Sequence, residues 1–209
     1  TSYESIYLNP ASIYLKDDNG NLTDKLDANY LYTTLAHEGL PGHLYQNLYF
    51  KTQDTSLLRK ILRNSGYVEG WATYAENYSY NFLRGTYSDD VIDYLITQSK
   101  LEAAIYSRLD LGIHYNGWSL EEFSSFTTKY FGVSSQDRLL KAYQQLVEIP
   151  NNYQQYFFTY LKFVDMYDNV KTKLGNNFNA KDFHKTILDC GPLPLKYVEK
   201  IVYDKYDIK

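Results

Sequence analysis

Two short stretches of this chain hold residues that together could activate a water molecule. His37-Glu38-Gly39-Leu40-Pro41-Gly42-His43 sets two imidazoles around a glutamate, and Glu69 follows His43 after 25 intervening residues. Two neutral imidazoles and one carboxylate form a zinc ligand set that leaves a coordination position open. Glu38, beside the first histidine, is then the natural base for a water at that position. Glu76 lies seven residues after Glu69, on nearly the same helix face, either as a brace for a ligand or as a solvated side chain.

The spacing of the histidines poses a geometric problem. Histidines four apart share a helix face, but these are six apart, an advance of about 600° that leaves them about 120° apart on an ideal helix. Pro41-Gly42 offers the remedy, because proline removes a backbone donor and glycine permits unusual torsions. A bulge or a restart there would return His43 to the face of His37. Only four histidines occur in the chain. A lone His-Glu-x-x-x-x-His match reads more readily as two ordinary histidines on a kinked helix. The second segment shifts that balance, because Glu69 sits among apolar and aromatic residues where an unpaired carboxylate is costly. Metal ligation accounts for it; an ion pair with Arg63 or Arg84 is the plainer alternative.

The elements that must position these residues are mostly helical. Residues 28–50 read as one helical region interrupted near Pro41-Gly42, followed by helices over 67–84 and 89–115. In the latter, Val91, Tyr94, Leu95, Gln98, Leu101, Ile105 and Leu109 fall at helical spacing and predict the buried stripe. Ser119 with Glu122 forms a capping box for the next helix. Ser134 is expected to cap another that ends at Pro150. Helices over 153–174 and 180–189 follow, then Gly191-Pro192-Leu193-Pro194 breaks the chain before a last helix. At the start, Ser5-Ile6-Tyr7-Leu8 and Ser12-Ile13-Tyr14-Leu15 alternate at period two and predict two short strands around Asn9-Pro10. A polar loop runs from Lys16 to about Asp27. The expected fold is therefore mainly α, one domain over 1–209, with a small N-terminal β element.

Composition narrows the function classes. The 209 residues suffice for one domain with a substantial core, and 44% hydrophobic with 17% aromatic residues is globular. A net charge of −4 gives no electrostatic reason to expect nucleic acid or an anionic membrane as partner. No apolar stretch reaches the length of a membrane span. Cys190 is the single cysteine, which rules out an internal disulfide and reads as a small buried residue. The tyrosine- and asparagine-rich composition with one cysteine is compatible with a bacterial exported or cell-surface protein, and localisation is otherwise open.

Glu69-Gly70-Trp71-Ala72-Thr73-Tyr74 resembles the Glu-Gly-Phe-Ala-x-Tyr segment of aminopeptidase-N-type enzymes, where the glutamate is the third zinc ligand. The whole chain is similar to the C-terminal part of the bacterial family called domain of unknown function 885, which carries a His-Glu-x-x-Pro-Gly-His motif and is placed with the gluzincin metallopeptidases. Further matches follow in order: Arg108 to His114 with Gly117-Trp118, Pro150 to Tyr156, Phe183-His184, and Gly191 to Leu195. Two departures stand out. The long helical N-terminal half of larger members is absent, and Thr159 stands where many members have glycine.

The resemblance implies a gluzincin-like helical catalytic domain, the C-terminal part of a longer protein, that hydrolyses peptide bonds with a zinc ion (Zn2+). It implies His37, His43 and Glu69 as ligands and Glu38 as base. Tyr156 and His114 become candidates for stabilising the oxyanion, because related peptidases use tyrosine or histidine there. Asp110 lies four residues before His114, on one helix face. It either orients that histidine, or braces a ligating imidazole, or joins His114 in a separate metal site. Arg108 either binds a substrate carboxylate or forms a structural ion pair. His184 reads as structural. The N-terminal strands either pair with an extended peptide substrate or simply cover the core. The implied partners are a peptide substrate and the missing N-terminal half. A non-catalytic zinc-containing peptide-binding module, and a zinc hydrolase of a non-peptide amide or ester, are the alternatives.

Overall fold

The computed structural model describes residues 5–9, 11, 14–17 and 19–208. Its β element is a hairpin of β1 (Tyr14–Lys16) and β2 (Leu22–Leu26), paired antiparallel with Tyr14 opposite Leu26 and a bulge before Lys16. The turn between them is set by Asp17, whose side chain accepts from the backbone N–H of Asn19 and of Asn21 at 2.9 and 2.8 Å. Gly20 supplies the left-handed residue, φ 82°. The hairpin thus forms one segment later than the repeat predicted. Ser5 to Leu8 carry no strand, and Ser12 and Ile13 lie outside the described residues. A turn with its own side-chain staple outweighs apolar alternation without one.

Helices α1 (Ala28–Thr34), α2 (His43–Thr52), α3 (Leu57–Ile61) and α4 (Ser65–Ser79) follow. Next come α5 (Asp89–His114), α6 (Leu120–Phe131), α7 (Gln136–Glu148), α8 (Gln154–Leu174), α9 (Ala180–Cys190) and α10 (Leu195–Tyr206). The capping box of Ser119 and Glu122 is present on α6. Ser135, not Ser134, stands at the start of α7. The short α3 carries no periodic signal and is not readable from the sequence.

Two cores hold the helices. The larger joins α4, α8, α9 and α10 through Tyr67, Trp71, Phe163, Met166, Ile187 and Val198. The smaller packs α5, α6 and α7 around Leu109, Phe123 and Leu146. Cys190 is buried in the larger core, and that burial raises its thiol to about 11, so it stays protonated and unreactive. Helix α5 corrects the predicted stripe over its first half, while Leu109 and Ile105 of that stripe do pack into the smaller core. Val91, Tyr94 and Leu101 are exposed, while Ile92, Ser107, Leu109, Asp110 and Ile113 are buried. Its first half packs on the rest of the molecule one position out of phase with the apolar series, and its buried face includes polar residues that bond to the neighbouring α8.

Helices α4 and α8 lie close because Gly66 and Gly70 face Thr159. A Cβ on Gly70 would overlap the Thr159 methyl group, and one on Gly66 would sit 3.2 Å from its hydroxyl. This contact fixes the height of Glu69 relative to Tyr156 on the opposing helix.

Candidate metal centre

The chain reaches the first histidine through a π-helical turn, Leu35–Gly39, that widens the end of α1. It then breaks at Leu40–Gly42 and restarts as α2 at His43. Gly42 donates its N–H to the Ala36 carbonyl at 2.9 Å. A Cβ there would collide with the His37 carbonyl oxygen, so only glycine fits this close backbone return. The Pro41 carbonyl is held by Trp71 Nε1 at 3.0 Å, which ties the break to α4. Bulge and restart together absorb the six-residue spacing. The two imidazole rings end with centroids 4.8 Å apart and planes at 88°.

Glu69, on α4, faces both rings. Its Oε2 lies 3.3 Å from His43 Nε2 and 3.7 Å from His37 Nε2. One ligand atom from each of His37, His43 and Glu69 fits within 4.8 Å of the others. Ligands at ~2.05 Å from a tetrahedral zinc stand about 3.3 Å apart, so the two carboxylate–imidazole distances are close to that spacing and the donor types are those that could hold such an ion. His37 Nδ1 lies 3.1 Å from Glu76 Oε2, the orientation in which a carboxylate fixes an imidazole with Nε2 free for metal. Arg84, one of the alternative partners for Glu69, pairs instead with Asp89 and Asp93 at 2.8 and 2.6 Å.

The metal-free cluster is internally charge-paired. Burial works against a charged His37, but Glu69 and Glu76, bonded to it, outweigh burial and push its pKa up to about 9. Burial likewise opposes the Glu69 carboxylate, yet bonding to His37 and His43 brings it down to about 2. Tyr156 stands over this pair, its ring stacked on His37 at 6.4 Å. Burial, and then the negative charge of Glu69 and Glu38, push its phenol up to about 12, which keeps it a donor.

Glu38 follows His37 on the same π turn and is exposed at the junction of two clefts. One, of about 590 Å3, contains His37, Glu76 and Tyr156. The other, of about 800 Å3, contains His43 and Glu69. Hence His37, Glu38, His43, Glu69, Glu76 and Tyr156 come together. Three of the sequence-predicted residues do not join them. Asp110 is buried and accepts from the backbone N–H of Asn151 and of Tyr153, both at 3.0 Å. It neither braces a ligand nor forms a metal site with His114, whose Nε2 lies 2.9 Å from the Leu146 carbonyl and 3.8 Å from Asp110. His114 is thus committed to the end of α7. Arg108 lies over Trp118 and Phe126, 4.2 and 5.6 Å from the ring centroids, and braces α6 on α5.

Asp110 nevertheless bears on the site. By fixing the turn before α8, where Asn151 takes φ 62°, it sets where Tyr153 and Tyr156 enter the first cleft. His184 is held among Tyr74, Tyr78 and Tyr167, with Nε2 2.8 Å from the Tyr74 hydroxyl. Burial lowers its pKa to about 4, as a structural histidine requires. Tyr30, Thr73, Glu102 and Tyr106 in the first cleft, and Lys60 in the second, were not legible as site residues, and Arg63 was legible only as a possible ion-pair partner of Glu69. They carry no motif and reach the clefts only by tertiary packing.

No helix among the described residues is long and apolar enough to cross a membrane. The chain is similar to a solved structure described as the putative lipoprotein from Colwellia psychrerythraea, at 25% identity and TM-score 0.73, over 90% of this chain and 32% of that one. A second solved structure, described as a putative lipoprotein of unknown function from Shewanella oneidensis, matches at 23% identity and TM-score 0.68, over 83% of this chain and 31% of that one, and shows the shared fold. The chain thus spans about a third of the length of these structures. No curated protein matches it. The model of the family described as bacterial protein of unknown function (DUF885) matches residues 9–202, so the chain belongs to that family.

Proposed function

We propose that this chain carries the catalytic centre of a gluzincin-like zinc metallopeptidase. The observation that carries the reading is the convergence of His37, His43 and Glu69 within 4.8 Å, from three separate elements, with Glu76 bracing His37. A zinc ion bound there would supply Lewis acidity to the scissile carbonyl and increase the acidity of a water.

The chain's own residues account for the rest. Glu38, exposed where the clefts meet, accepts a proton from the attacking water and delivers it to the amine as the C–N bond breaks. Water oxygen ends on the acyl carbon and both water protons are accounted for, one on the amine and one on the new carboxyl group. Tyr156, protonated at neutral pH, donates to the developing oxyanion from the first cleft. Glu76 orients His37, and the Gly42 return keeps both imidazoles on one side. The solved relatives described as lipoproteins are consistent with an exported protein, and their greater length with further domain structure around this centre.

Elemental analysis of the purified chain beside Glu69→Ala, with peptide turnover beside Glu38→Gln, tests the reading. About one zinc per chain, lost in Glu69→Ala, and turnover lost in Glu38→Gln with zinc retained, are expected. Full activity in Glu38→Gln would remove the base from the mechanism. Zinc without turnover of any peptide, ester or amide would favour a binding module.

A further inference from the structure

The two clefts that meet at Glu38 differ in charge. Glu38 is the residue they share. The first cleft is lined by Glu102, by Glu76, which is bonded to His37, and by the rings of Tyr30, Tyr106 and Tyr156, and among the described residues no lysine or arginine lines it. The second is lined by Lys51, Lys60 and Arg63, and among the described residues its carboxylates are Glu38 and Glu69 at the cluster itself. Among the described residues, no ion pair neutralises Glu102, Lys60 or Arg63; Lys60 makes a long 3.4 Å contact to the Lys51 carbonyl. The intervening Arg59, by contrast, is spent on the Cys190 carbonyl.

Carboxylates with tyrosine faces suit an ammonium group, while clustered lysine and arginine suit a carboxylate. An unblocked peptide carries these two charges at its opposite ends. The apolar walls of the second cleft, Phe50 and Val68 among them, suit the side chains between. Ile6, which lies against Gly39 beside Glu38, adds an aliphatic side chain to the same wall.

We propose that the substrate is a short peptide with both termini free, lying across Glu38 with its amino end in the Glu102 cleft and its carboxylate in the Lys60–Arg63 cleft. This rests on the metallohydrolase reading for its cleavage, but not for its binding. The polarity sets which part of the cleaved peptide leaves by which side: the new amine forms on the Lys60–Arg63 side.

The test pairs substrates with variants. Zinc-loaded protein is assayed with one oligopeptide in four forms: free at both ends, C-terminally amidated, N-terminally acetylated, and amidated but carrying an internal glutamate. Lys60→Gln/Arg63→Gln is expected to raise KM for the free acid about tenfold and to leave the amide nearly unchanged. Glu102→Gln should raise KM about threefold for the free amine and not for the acetylated form. Rescue by the internal glutamate would assign the carboxylate to a side chain and overturn the free-terminus assignment. Equal effects of each variant on all four forms would overturn the polarity and leave the peptidase reading standing. Direct binding to zinc-loaded Glu38→Gln separates the two ideas. The same variant–terminus coupling in binding, without turnover by the wild type, would support the polarity and sink the peptidase reading. No binding of any form would overturn the polarity.

Discussion

Zinc uptake by this centre should be a competition with one proton, and the structure sets its scale. In the metal-free protein, Glu69 and Glu76 hold His37 at a pKa of about 9. A ligating imidazole must be neutral, so below that value metal must displace a proton. At pH 7 only about 1% of His37 would be neutral, which costs about 2.7 kcal/mol at 1.36 kcal/mol per unit and lowers apparent affinity about 100-fold from its value above pH 9. Glu69, at about 2, is ionised throughout this range and contributes no slope. Titration against a chromophoric chelator from pH 7 to 9 should show affinity rising about tenfold per unit. Calorimetry in buffers of different ionisation enthalpy should show about one proton released at pH 7. Glu76→Gln separates the contributions, because it removes one carboxylate from His37 Nδ1. It should weaken binding about 10- to 100-fold at pH 9, and much less at pH 7, where the proton is also easier to displace. Affinity that stays flat between pH 7 and 9, with no proton released, would refute the charge pairing in this cluster.

The same pairing gives the metal-free protein a stability optimum. The raised His37 pKa contributes stability that is full below its ordinary 6.5 and is lost as pH rises through about 9. The lowered Glu69 pKa contributes stability present above its ordinary 4.5 and lost as pH falls through about 2. Thermal melts of metal-free protein should therefore peak between these ordinary values, and an unchanged melting temperature from there to pH 9 would count against the pairing. Gly70→Ala should destabilise the fold by about 1–3 kcal/mol, because the new methyl group meets Thr159. In a chain of this size that is several degrees of melting temperature, and Thr159→Gly should restore most of it if the clash is the cause. Asp110→Ala should cost about 2–4 kcal/mol by leaving the Asn151 and Tyr153 amides unpaired, measured by denaturant unfolding. Loss of activity in Asp110→Ala with no loss of stability would instead give Asp110 a direct role in the site.

The sequence by itself determined the parts whose chemistry is local. Helix starts from 89 to 195 followed to within about a residue from caps, periodicity and breakers, because those signals act within a few residues. The four residues His37, Glu38, His43 and Glu69 stood out because their types and spacing match one chemistry, and Pro41-Gly42 announced a distortion between the histidines. The tertiary structure decided everything that depends on which distant faces meet. It put Asp110 on a backbone turn and His114 on the end of α7, since a buried carboxylate takes whatever donors the fold presents to it. It moved the hairpin to a turn that Asp17 could staple, buried Ile92 in place of Val91 in the first half of α5, and set Ser107 and Asp110 beside Leu109 on its buried face toward α8. It alone placed Lys60, Arg63 and Glu102 on opposite sides of Glu38. Their charge is legible anywhere on the chain, but its direction at the site is a property of packing, because electrostatic fields add in space and not along the sequence.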